Sequence, residues 1–259
     1  MIKNNFCGIV IIKYLEKIRN NMGGILMAFI ELNHITKTYG TKETTIYALN
    51  DVSFNIEKKE LIVILGASGA GKSTLLNIIG GMDFATSGSY FVNGSEVTKY
   101  NDKEMALFRR NKIGFVFQFY NLMPNLTALE NVQLSTNHLK NAMDPKEALE
   151  MVGLKDRMNN FPSNLSGGEQ QRVSIARAIA KKPDILLCDE PTGALDSKTG
   201  KVILSILKNI SNEGRESVII VTHNANIALV ANRVIHLSDG KIIRDVKNEH
   251  PKEIEDIEW

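Results

Sequence analysis

The segment Gly66-Ala67-Ser68-Gly69-Ala70-Gly71-Lys72-Ser73-Thr74 follows the apolar run Leu61–Leu65 and precedes the helical pattern of Leu75, Leu76, Ile78 and Ile79. Glycines at Gly66, Gly69 and Gly71 let backbone N–H groups close around an anion with no Cβ in the way. A helix opening at Lys72 adds the partial positive charge of its N-terminus. Lys72 is placed to reach the β- and γ-phosphates of a nucleoside triphosphate, and Ser73 to ligate Mg²⁺. Asp189 ends the apolar run Ile185–Cys188, so its carboxylate emerges at a strand's C-terminal edge, where open α/β sheets bind ligands. It suits a Mg²⁺ ligand, direct or through water. Glu190 comes next and suits a general base acting on water. His223 follows Val218–Val221 and Thr222, at another strand end, and is expected at the γ-phosphate. Strand ends from distant parts of the chain thus converge on one triphosphate. His34, His138, His236 and His250 have no comparable context.

A second motif lies apart. Ser166-Gly167-Gly168-Glu169 reads as a capping box, with Ser166 as N-cap and Glu169 three residues on. The following helix carries Val173, Ala176, Ile179 and Ala180 on one side. As structure it is a capped helix with close-packing glycines. As function it is another anion site, aimed away from the chain's own phosphate loop.

These residues need elements to hold them. Phe29–Tyr39 and Tyr47–Ile56 alternate well enough for antiparallel strands. Leu61–Leu65 is apolar throughout, as for a central parallel strand covered on both faces. Tyr90–Val92 before Asn93-Gly94 reads as a strand and turn, and Ile113–Phe117 as a strand ending at Gln118. From 119 to 165 strand texture disappears. Leu129, Val132 and Leu134, then Ala148, Leu149, Val152 and Leu154, suggest short helices inserted into the core. Sheet texture returns at Ile185–Cys188, Val218–Val221 and Val234–Leu237, and Asp239-Gly240 suggests a hairpin to Lys241–Val246. The expected fold class is α/β: a P-loop NTPase core with a mixed sheet, an N-terminal antiparallel β subdomain and an inserted α-helical subdomain. The expected division is an extension over 1–26, a nucleotide-binding domain over 27–246 with its helical part at about 119–165, and an acidic tail over 247–259.

The chain has 259 residues, 43% of them hydrophobic, and a net charge of +2. That suffices for one large domain with a buried core. It offers no strong field for nucleic acid, which is not expected as a partner. The two cysteines, Cys7 and Cys188, form no disulfide framework, and Cys188 is expected as a buried strand thiol. No run is long enough to span a bilayer: Phe6–Ile12 stops at Lys13, whereas a spanning helix needs about 20 apolar residues. In Met22-Gly23-Gly24-Ile25-Leu26-Met27 the glycine codons can spell a ribosome-binding site, so translation is expected to start at Met27. An amphipathic N-terminal helix is the alternative.

The combination resembles the nucleotide-binding subunits of ABC transporters across nearly all of 27–246. The P-loop, Gln118, Leu165–Gln170, Ile185–Glu190, Ala194-Leu195-Asp196 and His223 match in type, order and spacing. Ala67 and Ala70 depart from the proline and serine common there, but both are small and preserve the loop. The resemblance implies ATP and Mg²⁺ as ligands. It implies that Tyr39 stacks on adenine, and that Gln118 joins the Mg²⁺ and γ-phosphate site to a transmembrane partner. Ser166, Gly167 and Gly168 would bind the γ-phosphate held by an opposite subunit, with Asp196 linking the two sites of a head-to-tail, ATP-dependent homodimer. The partner implied is a membrane permease, placing the chain at the cytoplasmic face of the cell membrane. Leu75–Asp83, Phe108–Gln118 and Glu190–Ser197 are similar to one branch, serving macrolide export, lipoprotein release and antimicrobial-peptide resistance, whose permeases carry a large extracytoplasmic domain. A stress-sensing or cell-wall regulatory complex without true transport is the alternative. Phe119–Pro124 is either packing within the helical subdomain or a groove for a permease loop.

Overall fold

The computed structural model describes residues 28–41, 44–137, 139–214 and 216–258. The expectations placed on residues 1–26, and the start at Met27, lie outside these residues.

The first strands, β1 (Ile30–Tyr39) and β2 (Ile46–Ile56), pair antiparallel, as their alternation implies. With β4 (Ser87–Val92) and β5 (Ser95–Glu96) they form a four-stranded sheet ordered β2-β1-β4-β5. The larger sheet has six strands. β3 (Leu61–Leu65), β6 (Ile113–Val116), β7 (Ile185–Asp189), β8 (Ser217–Thr222) and β9 (Arg233–Ser238) run parallel, and β10 (Lys241–Lys247) adds an antiparallel edge, in the order β10-β9-β3-β8-β7-β6.

Helices cover both faces of the larger sheet. α1 (Lys72–Ile79) and α2 (Asp102–Lys112) lie on the side of the antiparallel sheet. α3 (Ala128–Thr136), α4 (Pro145–Met151), α5 (Gly167–Ile179), α6 (Ser197–Asn212) and the short α7 (Ala225–Ala228) cover the other. The central strands divide their side chains between the layers. Ile62, Ile64, Leu187, Ile219 and Val221 join the first core, and Val63, Leu186, Cys188, Val218 and Ile220 the second. Burial on both faces explains why these strands read as unbroken apolar runs. Burial also pushes the Cys188 thiol up, with help from the Asp189 charge, leaving it protonated and inert.

Three local results differ from the sequence reading. α2 was not expected, although Asn101 and Glu104 form the reciprocal capping box that the sequence spells. Leu134 is exposed, so only Leu129 and Val132 of that trio pack inward. The acidic tail is docked: the Lys252 N–H donates to Leu229 O (2.9 Å), while Lys208 Nζ and Lys201 Nζ from α6 donate to Lys252 O (3.1 Å) and Glu255 O (3.0 Å). Ile254 and Ile257 enter the core against α6 and α7. Two isoleucines in an otherwise acidic stretch were the signal. Replacing a buried isoleucine by alanine removes its transfer energy and leaves a cavity, at about 2–5 kcal/mol. Ile257→Ala is therefore expected to lower the unfolding free energy by that amount, read as a lower urea midpoint with an unchanged m-value. A midpoint equal to that of the unmodified chain would show the tail to be unanchored.

Candidate functional site

The parallel register brings the site together. Leu65 pairs with Thr222 across β3 and β8, and Asp189 with Val221 across β7 and β8. Gly66, Glu190 and His223 therefore leave the sheet side by side. They open onto a cleft of about 770 Å³ lined by the loop from Ala67 to Thr74, by Gln118, and by Asp189, Glu190 and His223.

The loop is shaped by its glycines. Gly71 has φ +99°, and a Cβ there would sit 2.3 Å from Ala48 O, so both conformation and space exclude a side chain. Lys72 is almost fully buried, and its ammonium folds onto the loop's own carbonyls, Gly66 O and Ala67 O, each at 2.9 Å. The loop thus holds the ammonium on its own carbonyls.

Ser73 Oγ donates to Asp189 Oδ1 at 3.3 Å. This places two hard oxygen donors together at the mouth of the cleft, with Gln118 in the same lining. Among the described residues no cluster of three or more His, Cys, Asp or Glu could hold a metal alone. The donor set nonetheless suits Mg²⁺, which keeps water and takes one or two protein oxygens plus substrate phosphates. Burial pushes the Asp189 carboxyl up, and the Glu190 charge adds to this against the Ser73 bond and the Lys72 charge.

Glu190 sits in left-handed backbone (φ +45°), costly for a residue with a Cβ. Its side chain fixes the turn. Thr222 Oγ1 donates to Oε2 at 2.9 Å, the His223 N–H donates to Oε1 at 3.0 Å, and His223 Nδ1 lies 2.8 Å from Oε1. Glu190 and His223 therefore form one unit, with Thr222 as a support that no motif singles out. A carboxylate held in this way beside a phosphate cradle can accept a proton from an attacking water.

Not every expected residue enters the cleft. The Tyr39 ring is half-exposed and does not line it. Its hydroxyl donates to Asp83 Oδ2 (2.6 Å), and Lys37 Nζ donates to Asp83 Oδ1 (2.6 Å) and stands 4.8 Å from the Tyr39 ring centre. The bond to Asp83, followed by burial, pushes the Tyr39 hydroxyl up. Ile46, Tyr47 and Ala48 line the cleft instead. Exposed apolar residues at the start of β2, beside the loop, were the signal missed.

Ser166, Gly167 and Gly168 also stand outside the cleft. Ser166 caps α5 in the expected box, with Ser166 N–H to Glu169 Oε2 at 2.8 Å and Glu169 N–H to Ser166 Oγ at 3.3 Å. A Cβ at Gly168 would strike Thr199 Cγ2 at 2.1 Å. Thr199 Oγ1 in turn donates to Asp196 Oδ2 at 2.6 Å, and Asp196 caps α6 through the Thr199 N–H. The capped start of α5 and Asp196 are thus packed together, outside the lining of the P-loop cleft.

A largely parallel core sheet whose strand ends hold a P-loop, an acidic pair and a histidine around one cleft is the arrangement of a nucleoside triphosphatase cassette. Residues 49–193 match the ABC transporter family, and the chain belongs to that family. It is 47% identical over 227 residues to the ABC transporter ATP-binding protein MJ0796 of Methanocaldococcus jannaschii, covering 84% of this chain and 97% of that one. It is 46% identical over 230 residues to the macrolide export ATP-binding/permease protein MacB of Mannheimia succiniciproducens, covering 87% of this chain but 36% of that much longer protein. The dimeric post-hydrolysis structure of MJ0796 bound to ADP and Pi superposes with a TM-score of 0.77 at 45% identity, over 84% of this chain and 98% of that one. The chain is an ATP-binding ATPase, as the motifs imply. No described helix is long and apolar enough to cross a membrane.

The upward shift at Asp189 has a consequence for stability. A carboxyl whose folded value lies above its unfolded one is stabilising at low pH and loses that contribution as pH rises through the folded value. At neutral pH the ionised Asp189 is a net cost. Asp189→Asn is expected to raise the thermal midpoint of the nucleotide-free protein at neutral pH, with the gain shrinking in acid, while weakening Mg²⁺-dependent ATP binding. A midpoint lowered equally at both pH values would show that the carboxylate is not strained.

Proposed function

We propose that two copies of this chain close head to tail over two ATP molecules and drive a separate membrane permease. The observation that carries this reading is the separation within one chain. Lys72, Ser73, Asp189, Glu190, His223 and Gln118 share the cleft, whereas Ser166, Gly167 and Gly168 present a capped helix start elsewhere. One chain leaves the γ-phosphate uncovered on that side, and a second copy can supply the missing donors. The dimeric form of MJ0796 supports this arrangement.

In that assembly Lys72 leaves its carbonyls for the phosphates, and Ser73 and Asp189, with Gln118, hold Mg²⁺, whose charge offsets that of the phosphates. Glu190 takes the proton of the attacking water, and His223 orients Glu190 and contacts the γ-phosphate. Catalysis of this kind rests on positioning and electrostatics. Tyr47 lines the cleft and can offer adenine an aromatic face, whereas the stacking role expected of Tyr39 requires its ring to come in from outside that lining. Asp196 connects the two sites.

The permease is expected to meet the segment after Gln118. Tyr120 turns toward Gly167, and Leu122 packs onto the core, whereas Phe119 is 75% and Met123 54% exposed. The exposed pair forms the apolar contact for a helical loop. Docking there would place the chain at the cytoplasmic face of the membrane. The likeness to MacB, a macrolide export ATP-binding/permease protein, supports a permease partner and an export role; a large extracytoplasmic domain on that permease, and release of a peptide, antibiotic or lipoprotein, rest on the branch that Leu75–Asp83, Phe108–Gln118 and Glu190–Ser197 resemble.

Glu190→Gln is expected to cut turnover by about 10²- to 10⁴-fold and to elute as a dimer with Mg²⁺–ATP and as a monomer without it. Turnover equal to that of the unmodified chain would remove Glu190 from the base role, and a monomer at saturating ATP would sink the head-to-tail reading. Phe119→Asp with Met123→Asp is expected to abolish co-purification of the permease from detergent-solubilised membranes while ATP affinity stays the same. Retention of the permease would place the docking surface elsewhere.

A further inference from the structure

A second cleft lies at the opposite edge of the parallel sheet, where β6 and β7 begin. Its volume is about 460 Å³, and its lining includes Arg110, Lys112, Lys140, Lys181, Lys182 and a single carboxylate, Asp184. In a chain whose net charge is only +2, this is a local concentration of positive charge rather than a consequence of composition.

Part of that charge has a structural use. The C-terminal ends of α2 and α5 converge here, and cations are favourable beside helix carbonyls. Lys181 Nζ donates to Arg109 O (3.1 Å) and Ile113 O (2.6 Å), and Lys112 pairs with Asp184 at 2.8 Å. Burial, followed by the charge of nearby Arg177, pushes the Lys181 ammonium down to about 8. Lys112, Lys181 and Asp184 are thus committed to the protein. Arg110, Lys140 and Lys182 are not: all are exposed, and among the described residues their side chains make no hydrogen bond or ion pair.

We propose that this cleft binds a compact soluble polyanion carrying two or more phosphate groups, held by Arg110, Lys140 and Lys182. Arginine supplies a planar fork and the lysines mobile point charges, a combination suited to clustered phosphate oxygens. Asn111 and Asn141 in the lining add neutral donors. The one carboxylate is engaged by Lys112 and does not repel the ligand as a free acid would. The concave shape favours a small molecule over a flat lipid surface. The site shares no residue with the nucleotide cleft.

Isothermal titration with tripolyphosphate at about 0.15 M ionic strength, with ADP saturating the nucleotide cleft, tests the assignment. The expected result is a saturable site beyond the one ADP fills. Lys140→Gln combined with Lys182→Gln is expected to weaken it about tenfold or more and to leave ADP affinity unchanged. If the double variant loses ADP binding through misfolding, Arg110→Gln alone is judged by the same criterion. Absence of a saturable site overturns the proposal. So does binding that is lost in Lys72→Ala yet kept when the cleft lysines are replaced, which would assign it to the P-loop. Capture on phosphatidylglycerol vesicles with no uptake of tripolyphosphate also overturns it, in favour of a lipid surface.

Discussion

The register of β3, β7 and β8 is the constraint on which the rest of the molecule depends. Pairing Leu65 with Thr222 and Asp189 with Val221 sends the chain out of the sheet at the same level in three places. The glycine loop, the acidic pair and His223 then need no long-range adjustment to meet. A slip of one residue would turn every side chain of a strand to the other face. That slip is resisted by two cores, because Ile62, Ile64, Leu187 and Ile219 fill one layer while Val63, Leu186, Cys188 and Ile220 fill the other. Apolar packing far from the cleft thus sets the position of the polar groups within it.

The edge of the sheet holds several arrangements that cost stability. Glu190 occupies a left-handed backbone position, Asp189 is a carboxylate raised by burial beside another acid, and Lys72 is a buried ammonium satisfied only by loop carbonyls. Each is tolerable because neighbours bind it: Thr222 and His223 for Glu190, Ser73 for Asp189, Gly66 and Ala67 for Lys72. Such groups, placed where a triphosphate and its cation would complete their bonding, are the expected trade of stability for function.

Legibility in the sequence followed the range of the interaction. The glycine loop, the parallel strands and the capping box at Ser166 are local patterns, and they stand in the structure where the chain implies. The capping boxes of α2 and α3 are equally local, at Asn101 with Glu104 and at Thr127 with Glu130, so α2 was readable and was overlooked. Other features are tertiary. Tyr39 leaves the cleft because Asp83, well downstream in the chain, holds its hydroxyl. Leu134 faces solvent because α3 presents Val132 to the core. The tail docks because α6 and α7 leave room for Ile254 and Ile257. No spacing rule encodes which distant partner a side chain will meet.

The glycines of the second motif show how tertiary contact changes the meaning of a local signal. By sequence, Gly167 and Gly168 only leave the backbone N–H groups of a helix start accessible. In the fold each also removes an obstacle: a Cβ at Gly167 would stand 2.8 Å from the Tyr120 hydroxyl, and one at Gly168 would overlap Thr199. Tyr120 lies two residues beyond Gln118, and its carbonyl accepts from Arg177 of α5 at 2.8 Å. Thr199 is bonded to Asp196. The start of α5 is therefore packed between the segment that leaves one nucleotide cleft and the cap of α6. Contact this close leaves little slack, so a side chain at Gly168 would displace Thr199 and with it the cap of α6. Those glycines therefore serve packing as well as leaving backbone N–H groups accessible at the start of α5.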